Sequence, residues 1–323
     1  MRTAPPLVAV LGTLLAIAAS PLGCKPQAPL DRGGLVSRSA TPDAAPTISG
    51  SAPAGSSVAF GPDLPDRCGG LDCRTFPTAV AAFEHILATE RPLVLAIGEA
   101  HAQKGAAVDS STKRFTDEIL PLVQGKASDL LVEAMMPPTG CKPQVEVVRE
   151  KQKAATAPQA ATNQSDYVVL GTEAKKRGIV PDLLRPTCED LDAIDKAGPE
   201  AIGASLATIA RLTSTQVDKL LVRIERLNLD RFVITYGGAL HNDLVPGAGK
   251  EDWSYAKKLV ERTKGRYVEV DLFVPDFIRD DATWQKLEWR AHYDPARFPD
   301  RAVVFHPREH GYVVILPHKD RAP

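Results

Sequence analysis

The sequence predicts an α/β domain built on a mostly parallel central sheet flanked by helices, with a C-terminal antiparallel hairpin. Short apolar runs recur between residues 93 and 316, and stretches of helical period separate them. Strands that alternate with helices form βαβ units, whose strands are parallel. The last two apolar runs are different, because only the short polar turn "PREHG" separates them, as in a hairpin.

Each element has its own warrant. "FPTAVAAFEHILAT" places Val80, Phe83, Ile86 and Leu87 on one helical face, and "STKRFTDEILPLV" does the same with Phe115, Ile119 and Leu122. Residues 165–177, 198–211, 215–228 and 253–264 read as further helices. The parallel strands are expected at 93–97, 129–133, 178–184, 232–236 and 267–273, and the hairpin strands at 302–306 and 312–316. No internal repeat is visible.

The chain divides into three parts. Residues 1–23 carry one early charge, Arg2, then an apolar run from Leu7 to Ala19 and small residues before Cys24. About 13 apolar residues fall short of the roughly 20 that a membrane-spanning helix needs, so the stretch reads as a secretory signal. Its ending, "PLGC", resembles a bacterial lipoprotein signal. That likeness implies that Cys24 carries lipid and holds the chain to a membrane of the bacterial cell envelope. Residues 24–65 are rich in Pro, Ala, Ser and Gly with few large apolar side chains, and are expected to form a disordered tether. Residues 66–323 are long enough for one α/β domain.

Composition removes some partners and sets the redox context. With 39 basic and 40 acidic residues the net charge is −1, and no basic run offers a face for nucleic acid. Setting Cys24 aside leaves Cys68, Cys73, Cys141 and Cys188, an even set suited to disulfides in an oxidising compartment. Four cysteines allow three connectivities. The short loop "CGGLDC" can close on itself, and the expected pairs are Cys68 with Cys73 and Cys141 with Cys188. Their spacings do not repeat as zinc-binding pairs do.

Polar residues collect where strands end. "LVLAIGEAH" runs from a buried strand into Gly98, Glu99 and His101, and "FVITYGGALHND" runs from another into Gly237, Gly238 and His241. "SDLLVEAMMP" places Glu133 inside an apolar run. Ligands of open parallel sheets bind beyond the carboxyl ends of the strands, and residues two apart in extended chain share a side. Glu99, His101, Glu133 and His241 are therefore the candidate site. The other histidines are weaker candidates: His85 lies on a helix, and His306, His310 and His318 lie near the hairpin.

The motifs "IGEAH", "LLVEAMMP" and "YGGALHND", with the helix carrying Lys113 and Arg114, resemble the superfamily of erythromycin esterases, ChaN-like haem-uptake lipoproteins and Tiki/TraB proteases. The resemblance covers roughly residues 90–275. It implies an α/β fold with Gly-Glu-x-His and Gly-x-x-His signatures at one end of the sheet, and it points to Glu99, His101, Glu133 and His241, with Lys113 or Arg114 beside them. Two chemistries follow. In one, His101, His241, Glu99 and Glu133 hold a divalent metal whose bound water attacks an ester or peptide carbonyl. In the other, a histidine oriented by Glu99 is a general base on water. The alternative is a protein that captures haem or iron without turnover. After His101 the chain reads "AQKG", without the extra histidines or aspartates of ChaN-like chains, and no G-x-S-x-G elbow offers a serine nucleophile.

Overall fold

A computed structural model describes residues 71–318. They belong to one compact unit. The expected signal, tether, lipidated Cys24 and Cys68 lie outside the described residues. The strands are β1 (Asp72–Phe76), β2 (Val94–Glu99), β3 (Ala127–Met135), β4 (Val180–Leu184), β5 (Phe232–Gly238), β6 (Tyr267–Phe273), β7 (Ala302–Arg308) and β8 (Gly311–Ile315). They form one sheet in the order β1-β7-β8-β6-β2-β5-β3-β4. From β8 to β4 every neighbouring pair is parallel, whereas β7 is antiparallel to β8 and β1 to β7. The α/β class and the terminal hairpin are as expected. The hairpin is not the edge, because β1 pairs outside β7; "DCRTF" is short and carries two charges, so its apolar signal is weak.

The helices are α1 (Ala79–Glu90), α2 (Ser111–Arg114), α3 (Lys142–Thr156), α4 (Thr162–Lys176), α5 (Cys188–Lys196), α6 (Ala201–Arg226) and α7 (Ala256–Thr263). Alternating strand residues feed two cores. Leu95, Ile97, Val132, Ile234 and Tyr236 pack under α1 and α4 against Phe83, Ile86 and Leu170. Val94, Ala96, Leu131 and Val233 pack on the other side against Ile209 and Val217 of α6 and Leu259 of α7. The sheet is thus covered on both faces, which is why β2 and β3 are buried along their whole length.

Three local features depart from the sequence pattern. The expected helices at 198–211 and 215–228 are one helix, α6, because Ser214 and Thr215 turn their hydroxyls onto the carbonyl of Arg211 instead of breaking the turn. After α2 the chain passes through a π turn, Phe115–Ile119, and a 3-10 turn, Leu120–Val123. Pro121 has no N–H for an α-helical bond, so the winding changes there. Two helices, α3 and α5, were not expected; Cys141 and Cys188 stand at their starts and are joined by a disulfide across a sequence separation of 47. Cys73 also takes part in a disulfide. Among the described residues no helix is long and apolar enough to cross a membrane.

Candidate active site

The carboxyl ends of β2, β3 and β5 meet at one rim. Glu99 is the last residue of β2 and is paired in register with Gly238 of β5. Its parity with Leu95 and Ile97 turns it toward α4, and only 2% of it is exposed. A buried carboxylate must be hydrogen-bonded, and this one accepts four bonds. His101 Nδ1 lies 2.8 Å from Oε1, and the Tyr167 hydroxyl donates to the same oxygen at 3.4 Å. Tyr236 and Thr112 donate to Oε2 at 2.7 and 2.8 Å. Both carboxylate oxygens are therefore committed, and Glu99 acts by holding His101.

His101 follows as the chain leaves the strand. Gln103 donates to its carbonyl at 2.7 Å, and Asn163 of α4 donates to the carbonyl of Ala102 at 3.1 Å, fixing the turn. Burial pulls the His101 imidazole down, but the hydrogen bond and charge of Glu99, reinforced by the charge of Glu133, outweigh it and raise it above the ordinary 6.5. Burial, and then the charge of Glu99, push the hydroxyls of Tyr167 and Tyr236 well above their usual range, so both stay protonated donors.

Glu133 and His241 form a second pair on the other face. Glu133 shares its parity with Leu131 and Met135 and points toward α6. The backbone N–H of Gly238 donates to its Oε2 at 2.6 Å. That contact needs Gly237: a Cβ there would sit 2.2 Å from Glu133 Oε2. Gly98 does the same on β2, where a Cβ would meet Asn242 Oδ1 at 2.5 Å. His241 Nδ1 lies 2.8 Å from the Trp253 carbonyl, which only accepts, so Nδ1 carries the proton. Nε2 is buried without a hydrogen bond and lies 3.4 Å from Glu133 Oε1. Burial raises the Glu133 carboxyl, but His241, His101 and the Gly238 N–H together bring it below the usual range. A cavity of about 10 Å³ adjoins this pair, room for about one water.

The four expected residues thus stand as two pairs at one rim, on opposite faces of the sheet and linked by charge. Among the described residues, no three His, Cys, Asp or Glu gather around one metal position. Glu99 is saturated, and of the atoms left free, His241 Nε2 and Glu133 Oε1 lie together while His101 Nε2 belongs to the other pair, so no one position gathers the three protein ligands usual in a catalytic zinc site. Lys113 is elsewhere: its ammonium is half exposed and pairs with Asp117 at 2.6 Å. Arg114 is buried, but it binds Glu118 and the Pro317 carbonyl, a structural role.

A further carboxylate group supports the His241 loop. Asn242 Nδ2 donates to Asp271 at 3.1 Å, the Leu244 N–H donates to Glu269 at 2.9 Å, and Arg308 reaches Asp243 at 3.4 Å. Burial and then the neighbouring carboxylates raise Glu269 to about 7 and Asp271 well above its usual range. No family model, curated protein or solved structure matches this chain.

Proposed function

We propose that this chain is a hydrolase of ester or peptide bonds, lipid-anchored at Cys24 in the bacterial cell envelope, with His101 as its general base. The observation that carries the reading is the buried Glu99 carboxylate, which receives four donors and binds His101 Nδ1 at 2.8 Å. Nε2 is the nitrogen left to act. It takes a proton from water as the water oxygen attacks the carbonyl carbon, and Glu99 stabilises the imidazolium that forms. The same imidazolium then protonates the leaving group. Because Glu99 raises His101, the base is in its active neutral form only above that raised value, and the rate climbs with pH through it.

A divalent metal, if used, would be met by His241 Nε2 and Glu133, and would supply an acidified water. The likeness of the motifs to the erythromycin esterase, ChaN and Tiki/TraB superfamily belongs to this proposal, as do the membrane as partner and the absence of a nucleic-acid partner. Capture of haem or iron without turnover, with His101 or His241 as the ligand, is the less favoured reading; at His241 the adjoining cavity is only about 10 Å³.

The test is turnover of p-nitrophenyl acetate and of a peptide p-nitroanilide by the purified full chain, before and after EDTA. Wild type is expected to turn over at least one of them, and His101→Ala to lose a factor of about 10² or more. Lys113→Ala, on the solvent face, is expected to match wild type. EDTA sensitivity assigns the metal route and insensitivity the metal-free one. Absence of turnover, or full activity in His101→Ala, overturns the proposal.

A further inference from the structure

Two acids of β6, Glu269 and Asp271, stand two residues apart and so share one face of the sheet. Little stands beside them: their ladder partners are Ala96 and Gly98 on β2, and Gly311 and Val313 on β8. The chain that follows His241 lies in the resulting dent. Asn242 Oδ1 is 2.5 Å from where a Gly98 Cβ would be, and Leu244 Cδ1 is 3.5 Å from where a Gly311 Cβ would be. Asn242 Nδ2 donates from there to Asp271 at 3.1 Å, the Leu244 N–H donates to Glu269 Oε2 at 2.9 Å, and the Tyr267 hydroxyl donates to the Asn242 carbonyl at 2.6 Å. The segment thus lies as a strap over the two acids, and Glu269 is left 5% exposed.

We propose that residues 241–250 form a pH-sensitive strap, closed on β6 while Glu269 and Asp271 hold protons and lifting when they lose them, which releases the chain that carries His241 beside Glu133. The two acids face a third, Asp243 of the strap itself. Arg308 of β7 lies 3.4 Å from Asp243 but is shared with Glu288 at 3.8 Å, and Lys250 acts on Asp243 from farther along the strap. The hydroxyls of Tyr255 and Tyr267 complete the surroundings. Burial first, and then the neighbouring acids, raise Glu269 to about 7 and Asp271 well above its usual range. The strap supplies part of that burial, so lifting it returns water to both acids. Ionisation strengthens the hydrogen bonds to the strap, but burial and like charge outweigh that gain, as the upward direction of both shifts requires. The closed form therefore binds protons that the open form has released. Closure is fully favoured below 4.5 and is lost as pH rises through about 7. Glu269 alone, if lifting restores its ordinary value, raises the opening constant by about 10² between pH 4.5 and pH 8, and Asp271 acts in the same direction.

Hydrogen exchange of the full chain between pH 4.5 and pH 8, read by mass spectrometry on peptides from the strap and from β3, tests the proposal. After correction for the intrinsic exchange rate, protection of the strap is expected to fall about a hundredfold or more as pH rises. At each pH it is expected to be insensitive to about 1 M urea, which lowers the protection of β3, because a local opening exposes little surface. Glu269→Gln combined with Asp271→Asn keeps both acceptors for the strap and removes both charges, and its strap protection is expected to be level across the range. Glu269→Gln alone is expected to show a shallower fall than wild type, and it carries the comparison if the double variant does not fold. Strap protection in wild type that does not fall with pH, or falls equally steeply in the variants, overturns the proposal. So does a loss of strap protection in urea as steep as that of β3, since the segment then opens only with the whole domain. The readout is exchange and not turnover, so failure of the hydrolase proposal leaves the strap standing.

Discussion

Gly237→Ala isolates why a glycine precedes His241. The added methyl would lie 2.2 Å from Glu133 Oε2 and 2.7 Å from Glu133 Cβ. Glu133 is fixed by a strand buried along its whole length, so the carboxylate must swing away from the Gly238 N–H that now donates at 2.6 Å. Losing a hydrogen bond to a charged group costs about 1.5–3 kcal/mol, and forcing a methyl into a packed site costs about 1–3 more, for about 3–5 kcal/mol in all. For a domain of this size that is a drop in Tm of about 10 °C. Urea unfolding followed by circular dichroism measures it. Gly140→Ala is the control, since a Cβ there meets nothing within 4 Å. The sharper check is the double variant: with Glu133→Gly already in place the three nearest atoms, Oε2, Cβ and Cδ, are all gone, and adding Gly237→Ala is expected to cost no more than about 0.5 kcal/mol. A Gly237→Ala single variant as stable as wild type, or strict additivity in the cycle, would refute the reasoning.

Two further outcomes concern stability. Glu269 is raised to about 7 from 4.5, so the folded state binds a proton that the unfolded state has released between those values; stability is fully present at low pH and falls as pH rises through the window. Glu269→Gln keeps an acceptor for the Leu244 N–H and removes the charge, so its advantage over wild type is expected to grow by about 3 kcal/mol from pH 4.5 to pH 8 in urea unfolding; equal pH slopes count against it. The Cys141–Cys188 bridge closes a loop with a sequence separation of 47, and replacing both by Ser is expected to cost about 4 kcal/mol on loop entropy, with an unchanged melting curve as the contrary result.

How far the fold was legible follows from what each element does. The run at 93–97 declares β2 because both faces of that strand are buried, and the two-residue period beyond it places Glu99 and His101 together. Glu133 stands out because it is an acid within such a run. What makes Glu99 a holder of His101 was not legible: Thr112, Tyr167 and Tyr236 are 13, 68 and 137 residues away in sequence, and only folding brings them to one carboxylate. The same limit explains Lys113 and Arg114. They are neighbours on one helix, and the rotation that buries Arg114 and exposes Lys113 is set by tertiary packing. Likewise, the strand endings do not reveal that the two histidines fall on opposite faces. That depends on the parity of Glu99 and Glu133 in different strands.

The most direct measurement on the Glu99–His101 pair is the titration of the His101 imidazole by NMR in wild type and in Glu99→Gln, with His101→Ala assigning the resonance. The carboxylate holds the imidazole above 6.5 in wild type, and with that charge removed, burial acts against the charge of Glu133 alone and the titration is expected to shift downward. A His101 that titrates at the same pH with and without the Glu99 charge would contradict the claim that this buried carboxylate sets the reactive histidine.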